Sequence, residues 1–299
     1  MKHHISRHPH NAASASGATT AEPRISEYRE AVDGAAALSI RLGAGASTIA
    51  VRPLDEHDQL MAAALEHLGD LEYSVEGTET RLIRITEKSF KSLFGNRQPM
   101  RWDVGLNPAI PLSIEASAGD GDVLLPLDTF DVRRVSAAAG SGDVQISLAK
   151  SAEAVPVSVN VGSGDLALKL ATGARVRLDG VHMASGDVDL NAADGVALDG
   201  DILLASGDIA LTGGAGLTGQ LSLNLISGDM RLKVPHDLAI RIEVKLLVSG
   251  RVNVPTHMTA LPREGLFGLR KAWESPEFTR SGGGFTLSVS LVSGSLTMV

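Results

Sequence analysis

From about residue 111 onward, apolar and polar residues alternate with a period of two. Val144, Ile146 and Leu148 form one such run, and Leu166, Leu168 and Leu170 another, each just after a glycine-rich segment. Further runs precede the next glycine-rich segment, as in Val155, Val157, Val159 and Val161, or Leu221, Leu223 and Leu225. A period of two places these residues on one face of an extended strand. The pattern therefore predicts strand, turn, strand, turn, with one apolar face throughout.

The turn segments recur on a lattice. They read GDGDV at 119–123, GSGDV at 140–144, GSGDL at 162–166, ASGDV at 184–188, ASGDI at 205–209 and ISGDM at 226–230. Their aspartates, Asp122, Asp143, Asp165, Asp187, Asp208 and Asp229, are 21 or 22 residues apart. VSGRV sets Arg251 at the next step of 22, and VSGSL sets Ser295 a further 44 on, two steps along. Two strands in 21–22 residues cannot close a core alone, but stacked coils bury a continuous aliphatic column. The predicted fold is all-β, a single-sheet-stack β-solenoid. In each corner the glycine meets a conformation that a Cβ would penalise. The aspartate accepts a backbone N–H within its own turn, and the serine acts likewise.

The rest of the chain fits around this lattice. Residues 1–25 lack periodicity and read as a disordered polar tail, in which His3, His4, His8 and His10 are candidate metal ligands. Residues 26–110 read as a β-rich capping segment continuous with the solenoid. Within it, Ala36, Leu38, Ile40 and Leu42 alternate ahead of a GAGAS turn, and LEYSVEG with TRLIRITE forms a hairpin turning at Gly77. Residues 55–69 admit two readings. One is a short helical turn between Asp58 and Gly69; the other is a strand with Leu60, Ala62 and Ala64 on one face. KSLFGNRQPMRW is read as a loop. The solenoid occupies 111–299, with a loop insertion at 256–284 that packs over the stack or its end.

Composition narrows the chemistry. Of the 299 residues 43% are hydrophobic and only 3% aromatic, with 32 glycines, which suits thin aliphatic coils. The formal charge of −8 disfavours a phosphate-backbone partner, so no nucleic acid is expected. With no cysteine there is no disulfide, thiol catalysis or zinc finger. No stretch reads as a signal peptide or membrane span. The expected location is cytoplasmic, or at a membrane through a partner.

Four stretches resemble the LiaF-like, cell-wall-active-antibiotics-response group and the related putative-adhesin domains, whose β-solenoid is called a toastrack. They are EYREAVDGAAALSIRLGAGASTIAV, RWDVGLNPAIPLSIEASAGDGDVLLPL, the Gly-Ser-Gly-Asp corners, and GLRKAWESPEFTRSGGGFTLSVSLVSGSLTMV. Together they cover most of residues 27–299. The resemblance implies a role in bacterial envelope stress or surface adhesion, and it carries over no catalytic residue.

The residues themselves admit three kinds of chemistry. Between Arg177 and Arg231 there is no Lys or Arg, while Asp179, Asp187, Asp189, Asp194, Asp199, Asp201, Asp208 and Asp229 fall there. Stacked carboxylates could recruit a hard cation such as Ca²⁺. Turn N–H groups and solvent would satisfy them equally, and that reading is preferred. A sugar-cleaving site needs converging acids and bases, whereas His182 and His236 read as isolated. No catalytic, cofactor-binding or metal residue is therefore assigned, and no cofactor. The third is assembly: the last strand, Leu296 to Val299, reads as an uncapped edge through which two chains could meet. The expected function is a non-catalytic scaffold or interaction module linked to envelope stress, with a protein partner, possible self-association through that C-terminal edge and no membrane span of its own. The alternative is an adhesin-like surface protein that binds glycan or another cell.

Overall fold

The computed structural model describes residues 22–88, 100–262 and 271–299. The four tail histidines and residues 91–99 of the loop read over 91–102 lie outside the described residues, and its last three, Met100, Arg101 and Trp102, are strand rather than loop. Strand β1 (Arg24–Ala31) begins inside the stretch read as tail.

One coil is two strands joined by a corner. β8 (Leu112–Ala118) leads through the corner to β9 (Val123–Leu127). On these stack β10 (Val132–Ser141) and β11 (Val144–Leu148), each parallel to its predecessor. The stack continues through β12 (Val155–Ser163) with β13 (Leu166–Leu170), and β14 (Arg175–Ser185) with β15 (Val188–Ala192). β16 (Ala197–Ser206) with β17 (Ile209–Gly213), and β18 (Gly219–Ser227) with β19 (Met230–Lys233), follow. The register puts like on like: Val123, Val144, Leu166, Val188, Ile209 and Met230 form one buried column. Each fully buried aliphatic contributes about 1.5–3 kcal/mol relative to exposure. The alternating pattern thus becomes one core running the length of the stack.

The stack begins earlier in the chain than the lattice suggests. β2 (Ala37–Ala44) and β3 (Ser47–Pro53) form a coil directly beneath β8 and β9. Beyond them β6 (Thr80–Glu87) and β7 (Met100–Leu106) run parallel to β2 and β3. Antiparallel strands then close the end. β5 (Leu71–Glu76) pairs with β6, β4 (Gln59–His67) with β7, and β1 with β4. Tyr28 of β1 and Tyr73 of β5 stack with ring centroids 4.3 Å apart, and the Tyr73 hydroxyl donates to the Glu30 carboxylate. Residues 59–67 are strand, not helix, and the predicted face is the wrong one. Met61, Ala63, Leu65 and His67 are buried with Leu60, while Ala62 is half-buried and Ala64 exposed. The run LMAAAL is apolar at every position, so it carries no phase.

The other end corrects the predicted edge. β20 (Ile240–Asn253) is followed by β21 (Thr259–Ala260), β22 (Lys271–Glu274), helix α1 (Pro276–Ser281) and β23 (Phe285–Met298). β23 pairs with β18 and β19 on one side and with β20 on the other. The C-terminal strand is therefore interior, and no partner can add to it. β20 is the outermost coil strand, and β22 pairs antiparallel with only its first part, Arg241 to Val244. The described part of the 256–284 insertion is thus ordered cover over the end of the stack. Ser275 fastens it: its buried hydroxyl donates to the Leu238 carbonyl at 2.8 Å, accepts from Ile240 N–H at 3.0 Å and caps α1 through Phe278 N–H.

Candidate interaction surface

The corner is a device between coils rather than within one. Asp122 Oδ1 accepts the Asp143 N–H at 3.0 Å, and Asp143 accepts from Asp165 at 2.9 Å. The same bond joins Asp165 to Asp187, Asp187 to Asp208 and Asp208 to Asp229, each at 2.8 Å. Each aspartate therefore binds the N–H of the next coil's corner, not one in its own turn. Side by side, the glycines explain why no other residue fits. Gly207 has φ 133°, and a Cβ there would stand 1.9 Å from the Gly186 carbonyl oxygen of the coil before.

This geometry uses the acidic stretch structurally. Asp194 and Asp199 accept N–H groups of Ala215 and Gln220, each at 2.8 Å. Arg177 pairs with Asp179 at 2.6 Å, and that hydrogen bond holds the Asp179 carboxyl below the usual carboxylate range. Among the described residues, no group of three or more His, Asp or Glu side chains is placed to hold one metal ion. His236 is not isolated: its ring lies 3.9 Å from that of His257. The two are 21 residues apart, one lattice step; His236 directly follows Val234-Pro235 and His257 follows Val254-Pro255 after one residue, a recurrence that reading missed. Buried His67 is fully used, with Nδ1 at 2.6 Å from the Gly69 carbonyl and Nε2 at 2.9 Å from Ser26 Oγ.

The outer surface holds the less expected feature. On the strands leading into the corner, two adjacent outward-facing rows cross eight coils without a Lys, Arg, Asp or Glu. The first runs from Ser117 and Ala138 through Asn160, His182, Leu203, Asn224 and Ser290 to Leu246. The second lies beside the corner serines. It reads Gly119, Gly140, Gly162, Ala184, Ala205, Ile226, Val292 and Val248 in stacking order. Side chains in this row grow from nothing at the three glycines, through methyl at the two alanines, to the branched groups of Ile226, Val292 and Val248. Leu203, Ile226, Val292, Leu246 and Val248 are between 39% and 67% exposed. They are five of the seven large apolar side chains exposed among the described residues. At the low end of the ramp, Gly140, Gly162 and Ala184 line a shallow open groove that Ile226 closes. Exposed large aliphatics are ordinarily scattered singly rather than gathered in this way. Past the strip, the β20 main chain from Lys245 onward has no strand paired on its outer side among the described residues.

A capped parallel β-solenoid with Ser-Gly-Asp corners defines the class as a toastrack. The chain belongs to the family described as the N-terminal domain of toast_rack, DUF2154, which matches residues 17–169. Solved structures are similar at low identity. A putative cell adhesion protein from Clostridium sporogenes shares 15% identity over 93% of this chain and 99% of its own, with a TM-score of 0.31. A putative adhesin from Bacteroides fragilis shares 12% over 93% and 99%, with a TM-score of 0.46. A putative lipid binding protein from Parabacteroides distasonis shares 13% over 94% and 98%, with a TM-score of 0.37. No curated protein matches the chain. No helix among the described residues is long and apolar enough to cross a membrane.

Proposed function

We propose that this protein is a non-catalytic interaction module, and that it works through the uncharged strip beside its corners. One observation carries the reading: among the described residues, five of the seven exposed large aliphatics gather on one strip, in a chain of which 21% is charged. Exposed aliphatics cost solubility unless something covers them. The corner chemistry supports the same reading, since its carboxylates are committed to holding coils together. Within the toastrack family the setting proposed is the bacterial envelope-stress response, with the protein in the cytoplasm or held at the membrane by a protein partner.

The test is made in the source cell with Ile226→Glu and Val292→Glu in the full-length chain. Both positions are exposed, so circular dichroism should be unchanged. The response to a cell-wall antibiotic should fall to that of a strain lacking the protein. A full response from both variants would overturn the reading. Fractionation that finds the protein outside the cell, with cell attachment lost in the same variants, would replace envelope stress by adhesion.

A further inference from the structure

We infer that the strip is covered by a second copy of this chain, packed antiparallel about a two-fold axis that crosses the strip at its middle. This rests on the strip being an interaction surface and names what occupies it. A two-fold axis across the strip reverses the order of coils in the partner while keeping each row against itself. The first coil of one copy then faces the last coil of the other. In the ramped row, Gly162 receives Ile226 of the other copy, Gly140 receives Val292, and the two central alanines, Ala184 and Ala205, meet each other. Every pair sets a small residue against a large one, or two of middle size. The ridge at one end of the ramp is thus the complement of the groove at its other end.

The charge pattern leaves the strip open to a second copy, and the ramp sets the direction. The chain carries −8, so most of its surface repels a second copy. The two rows of the strip carry no charged side chain, and they bring no like charges together in either direction. At the rim the directions differ. Arg251 stands in the corner column, where the six coils from Asp122 to Asp229 have aspartate. Antiparallel packing sets Arg251 against Asp122 of the partner at each end of the rim, with Asp165 against Asp229 and Asp187 against Asp208 between them. A parallel two-fold along the ramped row throws the two corner columns to opposite sides, sets Val248 on Val248 and leaves the glycine end empty.

The chain has no cysteine, so single cysteines report the register directly. Ala138 and Ser290 lie in the neighbouring row, five coils apart, which is roughly 24 Å at the spacing of stacked strands. No disulfide spans that distance within one chain. Antiparallel packing brings Ala138 of one copy onto Ser290 of the other. Light scattering on the full chain should give twice 31.1 kDa, and Ile226→Glu should return it to a monomer with unchanged circular dichroism. Mild oxidation should cross-link a mixture of Ala138→Cys and Ser290→Cys chains, and neither variant alone. Cross-linking of a single variant to itself would overturn the antiparallel register, and a monomeric full-length chain would overturn self-association. The two readings fail separately. A monomer whose cellular role is still lost with Ile226→Glu keeps the strip and loses the second copy. A dimer whose role survives that change loses the proposed function alone.

Discussion

The backbone N–H of Ser295 donates to the carboxylate of Asp229 at 2.8 Å, across 66 residues of chain. It is the same bond that joins each earlier corner to the next, and it places the C-terminal strand as the coil directly above Asp229. Arg251, only 22 residues after Asp229, lies one coil further out, beside Ser295.

Breaking one rung tests how much the corner ladder holds. Asp208→Ala leaves the Asp229 N–H without its acceptor at the stack's exposed corner. The loss should be about 1 kcal/mol, the usual worth of one hydrogen bond. Asp208→Asn keeps an acceptor oxygen and should lose less. Thermal melts of the two variants beside the parent decide it, and equal melting of all three would show the rung to be idle.

Gly207→Ala should cost more than the missing rung. The added Cβ meets backbone, which cannot rotate away, and the residue is held at φ 133°. Overpacking of this kind costs about 1–3 kcal/mol, with backbone strain of similar size in addition. A melt lowered well beyond that of Asp208→Ala is the expected outcome.

Removing residues 285–299 should disorder more than those residues. β20 has β23 as its parallel neighbour along nearly its whole length, and β22 covers only a short part. Hydrogen exchange in the truncated chain should show lost protection over 240–253 while 155–213 stays protected. Retained protection over 240–253 would mean that β20 can dock on β18 by itself.

The two tyrosines give a pH dependence. Burial raises the Tyr73 phenol far above its ordinary 10.0, and the hydrogen bond to Glu30 raises it further. Burial also raises Tyr28. The unfolded chain, with ordinary phenols, gives up its protons first. The contribution of these groups is therefore complete below pH 10 and declines as pH rises beyond it. Urea melts at pH 8 and pH 11 should show that decline, and Tyr73→Phe should reduce it. Ultraviolet titration should show tyrosinate forming at higher pH in the folded protein than in the unfolded chain.

What the sequence made legible follows from what a lattice encodes. Period-two runs such as Val155 to Val161 gave the strands and their buried face, because alternation is local. The 21–22-residue step gave the position of each corner within a coil. It could not give the order of the coils, since Ser295 and Arg251 occupy the same phase and only pairing distinguishes their heights. The ramp was visible as well, because the residue before each corner serine reads Gly140, Gly162, Ala184, Ala205 and Ile226. Its meaning was hidden until Val292 and Val248 were placed in stacking order. At 59–67 the strand was available as an alternative but its face was not, because a continuous apolar run has no phase to read.

The interior position of β23 also sets a timetable. β20 is synthesised more than thirty residues before the strand it must rest on. At about 5–20 residues per second, its edge waits for seconds beside the unfinished stack, with Ile242 and Val244, buried in the finished molecule, still uncovered. During that interval the top of β18 offers the nascent β20 a place that belongs to β23. Completion of the molecule then requires the later strand either to arrive first or to displace the earlier one, so the outermost coil is a late event in the protein's biosynthesis.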